Sequence, residues 1–334
     1  MTIAISGTTG ITLAGQFDSA STFGFKNRII NGQMQIAQRA TSATITAGST
    51  IAAGYSTVDR FYAYCTGANV TAAQVAGSGA TKNRLQITGA ASVTAVGIGQ
   101  RIEALNSYDM AGSTSTLSVD ISNSLLTTVT WTAYYANTTD TFGTLASPTR
   151  TQIATGTFTV TSTLTNYSTQ ISIPAAATTG IEVVLTVGAQ TSGTWVVGNI
   201  QLEESSIATS FDYRPYGTEL ALCQRYYYRI TAAGASRILG NGYVNSTTVA
   251  DYTLPFPVTM RDEPSALEQT GTAANYAVLT ATGAVNCSAV PSNILNSQWG
   301  ASFRFTVASG LTTGQAVFAR NVTTGAYLGW SAEL

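Results

Sequence analysis

The run Thr128-Val-Thr-Trp-Thr-Ala-Tyr-Tyr135 places apolar side chains at every second position, and the same period returns along most of the chain. A period of two sends successive side chains to opposite faces of an extended strand, so it suits half-buried sheet and cannot line one side of a helix. Similar runs are Phe61-Tyr-Ala-Tyr-Cys65, Arg84-Leu-Gln-Ile-Thr88 and Ser115-Thr-Leu-Ser-Val-Asp-Ile-Ser122, followed by others at 155–160, 168–173, 181–187 and 194–202. About eight strands separated by turn residues predict an all-β, double-sheet jelly roll.

The 334 residues suffice for two ordinary cores. Only 9% are charged while 44% are hydrophobic, so solubility must rest on Thr, Ser, Asn and Gln, and the 31 Gly supply turns. Thr suits exposed sheet; a helical chain of this length would carry more Lys and Glu. The formal net charge is -1, without a local Lys/Arg cluster, which argues against nucleic acid as a partner. The first ten residues lack a basic region followed by an apolar run, and no stretch of about 18 apolar residues occurs, so neither a secretory signal nor membrane insertion is expected. Cys65, Cys223 and Cys287 are far apart and show no CxxC spacing, which predicts thiols made in a reducing compartment.

Three segments are expected: a Gly/Thr/Ser-rich stretch at 1–24, a jelly roll at 25–213 and a second, smaller β-sandwich at 214–334. The break falls at Tyr213-Arg-Pro-Tyr-Gly217, where Pro cannot donate to a ladder and Gly frees the backbone. Thr218 then caps a short junction helix with Leu220, Cys223 and Tyr227 on one face. Alternatively, an extended reading lines up Arg225, Tyr227 and Arg229. Beyond it, Gly240-Asn-Gly242 reads as a turn, Tyr252-Thr-Leu-Pro-Phe256 as an edge strand, and 301–307 and 325–330 as further strands.

Histidine is absent from this sequence, which excludes Ser-His-Asp and Cys-His catalysis and removes the commonest metal ligand. There is no GxxxxGK[ST] phosphate loop. The expectation is a non-enzyme with no catalytic residues, no metal and no cofactor. A glycosidase would need two carboxyl groups across a cleft. Glu103 with Asp109, or Glu203 and Glu204 with Asp212, are the candidates; an ion pair to Arg101 for the first, and a solvated strand end or a bridge to Arg214 for the second, are simpler readings.

Parity sorts the aromatics. Phe61, Ala63 and Cys65 share an inward face, which turns Tyr62 and Tyr64 outward; Val129, Trp131 and Ala133 point inward, which turns Tyr134 outward beside Thr130 and Thr132. Trp195 opposes Val196, Ile200 and Leu202. Tyr62, Tyr64, Tyr134 and Trp195 are therefore the candidate carbohydrate-binding residues, with packing at a subunit interface or under a loop as the alternative use of such rings. Trp299 shares parity with Ala301, Phe303, Phe305 and Val307, which predicts a core position.

Three stretches carry a resemblance. Asn27-Arg-Ile-Ile-Asn-Gly-Gln-Met-Gln-Ile-Ala-Gln-Arg39 with Ser56-Thr-Val-Asp-Arg-Phe61 resembles the opening of a carbohydrate-module-like jelly roll. The junction from Gly198 to Tyr228, then Leu254-Pro-Phe-Pro-Val-Thr-Met-Arg-Asp-Glu-Pro264 and Ala332-Glu-Leu334, is similar to phage tail-fibre (receptor-binding) proteins, in that order. The resemblance implies a homotrimer on the virion tail, assembled in the host cytoplasm. Residues 1–24, which by composition alone read as a disordered terminus, would attach to baseplate or tail-tube proteins, and a host-surface polysaccharide would be the ligand. It also allows a structural calcium near Glu203. A virion glycan depolymerase and a structural head or tail decoration protein are the alternative functions.

Overall fold

The computed structural model describes Ile3–Ser6, Gly10–Leu13 and residues 25–48 and 54–334. The chain forms two units, Met1–Tyr216 with Leu334, and Gly217–Glu333. β1 (Ile3–Ser6) and β2 (Gly10–Leu13) pair antiparallel as a two-stranded ribbon. The attachment role expected for 1–24 otherwise falls outside the described residues.

The larger unit continues with β3 (Ser42–Ile45), β4 (Tyr62–Thr66), β5 (Val70–Ala76), β6 (Asn83–Thr88) and β7 (Ala95–Ile102). β8 (Thr114–Asn123), β9 (Thr128–Ala136), β10 (Arg150–Thr159), β11 (Thr165–Ser172), β12 (Ile181–Val187) and β13 (Thr194–Glu203) complete it. These eleven strands form a five-stranded sheet, β10-β9-β12-β7-β4, and a six-stranded sheet, β11-β8-β13-β6-β5-β3. Consecutive strands repeatedly switch sheets, as in a jelly roll. The inward rows of both sheets, including Ile98, Leu117, Val119, Trp131, Leu185 and Val197, meet in one buried cluster. Their burial is what makes the alternation legible.

β13 departs from simple alternation. Its pairing with β8 shifts between Gly198 and Gln201, where Asn199 has a left-handed φ of 47°. One extra residue at such a bulge exchanges the two faces. Trp195 and Val197 before it, and Ile200 and Leu202 after it, therefore all point into the core.

The smaller unit begins at helix α1 (Tyr216–Gln224). The helix starts two residues before Thr218, which lies in its first turn rather than at its cap. Glu219 and Cys223 are its buried residues, and Leu220 is half-buried. The chain is extended from Tyr227, so Tyr227 belongs to a strand.

Its strands are β14 (Tyr227–Thr231), β15 (Ile238–Ser246), β16 (Val249–Pro255), β17 (Leu267–Gln269), β18 (Tyr276–Thr280), β19 (Gly283–Ser297), β20 (Gly300–Val307), β21 (Ala316–Asn321) and β22 (Tyr327–Ser331). Six close into a barrel in the order β15-β16-β20-β19-β18-β21, and β14-β22-β17 form a separate three-stranded sheet. The second β unit is thus a barrel with a small sheet, where two open layers were expected. Closure follows from β15 pairing with β21, and within the ring β16 pairs on both sides, to β15 and to β20. The segment read as an edge is consequently an inner rung of the barrel. Gly240 and Gly242 lie within β15, not in a turn: a β-carbon at Gly242 would stand 2.0 Å from the Asp251 carbonyl oxygen, so Gly permits a close approach between strands.

Tyr252, Phe303, Phe305 and Tyr276 pack inside with ring centroids 5.0 to 5.7 Å apart. Trp299 does not join them. It sits with Gln298 in the two-residue connection from β19 to β20 and is 69% exposed, because the alternation of β20 starts only at Gly300.

Candidate functional site

The outer face of the five-stranded sheet gathers three of the four candidate aromatics. Register fixes its rows. Tyr64 faces Gly97, Thr186, Thr130 and Thr157 across the sheet; Tyr62 faces Gly99, Val184, Thr132 and Thr155; Arg101 faces Glu182, Tyr134 and Gln152. Neighbouring strands are about 4.8 Å apart, so each row offers closely spaced side chains on a rigid surface.

Glycine shapes one side of this face. A β-carbon on Gly97 would lie 2.2 Å from Tyr64 Cε1, so the Tyr64 ring lies over β7 instead of standing upright on β4. On the other side, the Arg150 guanidinium covers the Tyr134 ring with its carbon 4.0 Å from the centroid. Arg150 also pairs with Glu182 Oε2.

Glu182 organises the centre. Fully buried, it accepts from Tyr62 Oη at 2.8 Å and Arg101 Nε at 2.9 Å on Oε1, and from Arg150 on Oε2. Arg101 further donates to the Gly143 carbonyl at 3.0 Å. Burial pushes the Tyr62 phenol well above its ordinary value, and the Glu182 charge adds to it. Burial raises Tyr64 as well, against the opposing effect of Arg150. Burial alone would lower Arg150, but the charges of Glu182 and Tyr62 and the hydrogen bond to Glu182 together more than offset it, and the net shift is upward.

Tyr64 and Tyr134 are half-buried and line the face as parity predicts. Tyr62 has the expected parity but is 0% exposed: Tyr55 meets its ring edge-on at 6.0 Å, Arg101 covers it at 5.6 Å, and Glu182 binds its hydroxyl. It supports the face from beneath and offers no ring surface to a ligand. Trp195, also 0% exposed, belongs to the core because of the β13 bulge. Reading the strand as unbroken gave it the wrong face.

Arg150 and Glu182 escaped the sequence reading. The signal was there: Glu182 stands alone in Ile181-Glu-Val-Val-Leu185, and a carboxylate inside so apolar a strand demands a cationic partner.

Of the other candidate carboxylates, Glu204 is exposed and Asp212 accepts from Asn27 N at 3.4 Å, while the rest are committed elsewhere. Arg101 pairs with Glu182 and not with Glu103; Glu103 Oε1 accepts from Asn106 at 3.0 Å, and Asp109 pairs with Arg28 at 2.6 Å. Glu203 is buried and accepts from Thr209 N, Thr209 Oγ1 and Gln201 Nε2 at 2.6 to 2.9 Å. Lys26 Nζ donates to the same Thr209 hydroxyl. A calcium there would meet hydrogen-bond donors and an ammonium, so this edge does not fit the ion. Arg214 donates to the Asn27 and Ile29 carbonyls. Among the described residues no group of three or more Cys, Asp or Glu could hold a metal ion.

No protein-family model matches the chain, and no curated protein matches its sequence. Among solved structures, it is similar to the enzymatically active domain of bacteriophage CBA120 tailspike protein 4, with 15% identity and a TM-score of 0.34 over 53% of this chain and 21% of that one. It is also similar to a family 16 carbohydrate-binding module, with 20% identity and a TM-score of 0.29 over 40% and 85% of the two chains. The family 11 carbohydrate-binding module of a cellulosomal cellulase of Clostridium thermocellum aligns with 14% identity and a TM-score of 0.30, over 48% and 96%.

Proposed function

We propose that this chain is a phage tail-fibre receptor-binding protein, non-catalytic, which holds a host-surface glycan on the outer face of the five-stranded sheet. The observation that carries this reading is the sheet face itself: Tyr64 and Tyr134 flank rows of Thr hydroxyls, with Arg150 fixed above Tyr134. Sugar rings present apolar C–H faces and polar rims, so aromatic rings beside hydroxyls and a guanidinium match both parts. The face carries Glu182 as its acidic group, and that carboxylate is buried under three donors. Binding by stacking and hydrogen bonding suits such a surface better than proton transfer does.

The quaternary and virion roles rest on the sequence resemblance: a homotrimer, attached through residues 1–24 to baseplate or tail-tube proteins. Sparse charge leaves apolar surface for contacts between copies.

The test is binding of the full chain to purified bacterial surface polysaccharides. Tyr64→Ala and Tyr134→Ala are expected to weaken retention by about 1 to 3 kcal/mol with little change in melting temperature. Undiminished binding in both variants would overturn the assignment to this face, and shortening of the glycan by the wild type would replace binding with hydrolysis.

A further inference from the structure

The β19–β20 connection borders a groove, confined to the smaller unit. Gln298 and Trp299 are held there by the loop that follows β16: Phe256 N donates to the Trp299 carbonyl at 2.8 Å and Met260 N to the Gln298 carbonyl at 2.8 Å. Trp299 N in turn donates to Ser297 Oγ at 3.2 Å. The backbone is thus fixed from both sides while the indole is 69% exposed. An aromatic displayed on an immobilised turn has little ordering entropy left to lose when something stacks on it.

Beside it lies a groove of about 420 Å³, within the range of small-molecule sites. Register puts Thr253, Ser302 and Leu295 in one row of the outer barrel surface, and Pro255, Gly300 and Ser297 in the next. Gly300 keeps the floor low: a β-carbon there would stand 2.7 Å from the Leu254 carbonyl oxygen. Leu295, 67% exposed, adds an apolar wall.

The lining has no Lys, Arg, Asp or Glu. One indole, two aliphatic side chains and several hydroxyls surround the space.

We propose that this groove binds an uncharged saccharide, with a pyranose stacked on Trp299 and its hydroxyls directed to Thr253, Ser297 and Ser302. The apolar and polar groups occur in the mixture that a sugar ring presents, and the lack of charge selects against phosphorylated or acidic glycans. The site is independent of the one on the jelly roll.

Saturation-transfer NMR on the full chain tests it, with neutral di-, tri- and tetrasaccharides of glucose, galactose and mannose as probes. Transfer to sugar protons is expected in the wild type and in Tyr64→Ala and Tyr134→Ala, whereas Trp299→Ala should weaken affinity by about 10-fold or more. Thr253→Arg, which fills the groove without touching the Trp299 turn, should abolish transfer in a Tyr64→Ala/Tyr134→Ala background even if Trp299→Ala folds poorly. Absence of transfer to every saccharide of the panel, or transfer unchanged in both groove variants, would overturn the proposal. A Trp299→Ala protein that changes its mass in light scattering while saccharide transfer persists would make the groove a contact between copies, and would overturn it equally.

Discussion

Gly99 of β7 lies opposite Tyr62 of β4, and a β-carbon on that glycine would stand 2.3 Å from the tyrosine hydroxyl oxygen. The missing side chain is what lets the phenol reach Glu182. Because the Tyr62 ring is enclosed, it has no free direction in which to yield. Gly99→Ala is expected to lower the melting temperature clearly. Gly97→Ala should cost less, since it displaces the half-exposed Tyr64. Differential scanning calorimetry of both variants checks this, and equal melting temperatures would contradict it.

Glu182 compensates two guanidiniums in a buried setting. Removing one member of a buried ionic group leaves the others uncompensated, at a cost of about 3 to 5 kcal/mol. Glu182→Ala is therefore expected to shift the urea midpoint of the jelly roll strongly at neutral pH. A shift no larger than that of an exposed ion pair, such as Arg28 with Asp109 tested as Asp109→Ala, would show that water reaches this network.

Trp195→Ala and Trp131→Ala both empty the jelly-roll core and should each cost about 3 to 5 kcal/mol. From strand parity alone, Trp195 would be expected to tolerate truncation. Thermal melts of the two variants distinguish these outcomes, and a wild-type melt for Trp195→Ala would remove the bulge-based assignment.

Where the sequence was legible, one face was apolar and the period unbroken. Burial imposes that period, so β8, β9 and β12 stand out. β7, Ala95-Val-Gly-Ile-Gly-Gln-Arg-Ile102, was hidden because glycine reads as turn chemistry; here Gly97 and Gly99 make room for tyrosines from the adjacent strand. In β13 the bulge defeated parity for Trp195, and a bulge at Asn199 has no signature in Val196-Val-Gly-Asn-Ile200 beyond the glycine itself. Of the candidate site, Tyr64 and Tyr134 could be read from alternation. The covering of Tyr62 could not, because Tyr55, Arg101 and Glu182 arrive from distant parts of the chain.

Asp251 accepts from Arg304 at 2.7 and 2.8 Å and from Asn245 at 2.7 Å. The Arg304 hydrogen bonds come first in holding its carboxyl below the ordinary value, against a smaller opposing effect of burial. A carboxylate whose folded pKa is depressed contributes stability above its unfolded value of about 4 and loses it as pH falls through the folded value. Acid melts should accordingly show the smaller unit weakening below about pH 4. Asp251→Asn should flatten that limb; an unchanged acid profile would remove the linkage.

Burial pushes the Cys287 thiol up to about 12, and Cys65, also buried, is raised by the same cause. The thiolate is the reactive form, so iodoacetamide at pH 8 should leave both unmodified in the folded protein and label both in urea. Rapid native labelling of Cys287, read by mass spectrometry, would contradict its place in the barrel interior.

Because the barrel strands close into a ring, that sheet has no edge strand to present to a neighbour. Strand-by-strand recruitment of another chain, whether for assembly or by accident in aggregation, falls to the margins at β10, β4, β11 and β3 in the jelly roll and at β14 and β17 in the small sheet. The barrel itself can be joined only through its side chains, so partners that engage it must recognise chemistry and shape, and single substitutions on its surface can tune or abolish that recognition without touching the hydrogen-bonded frame.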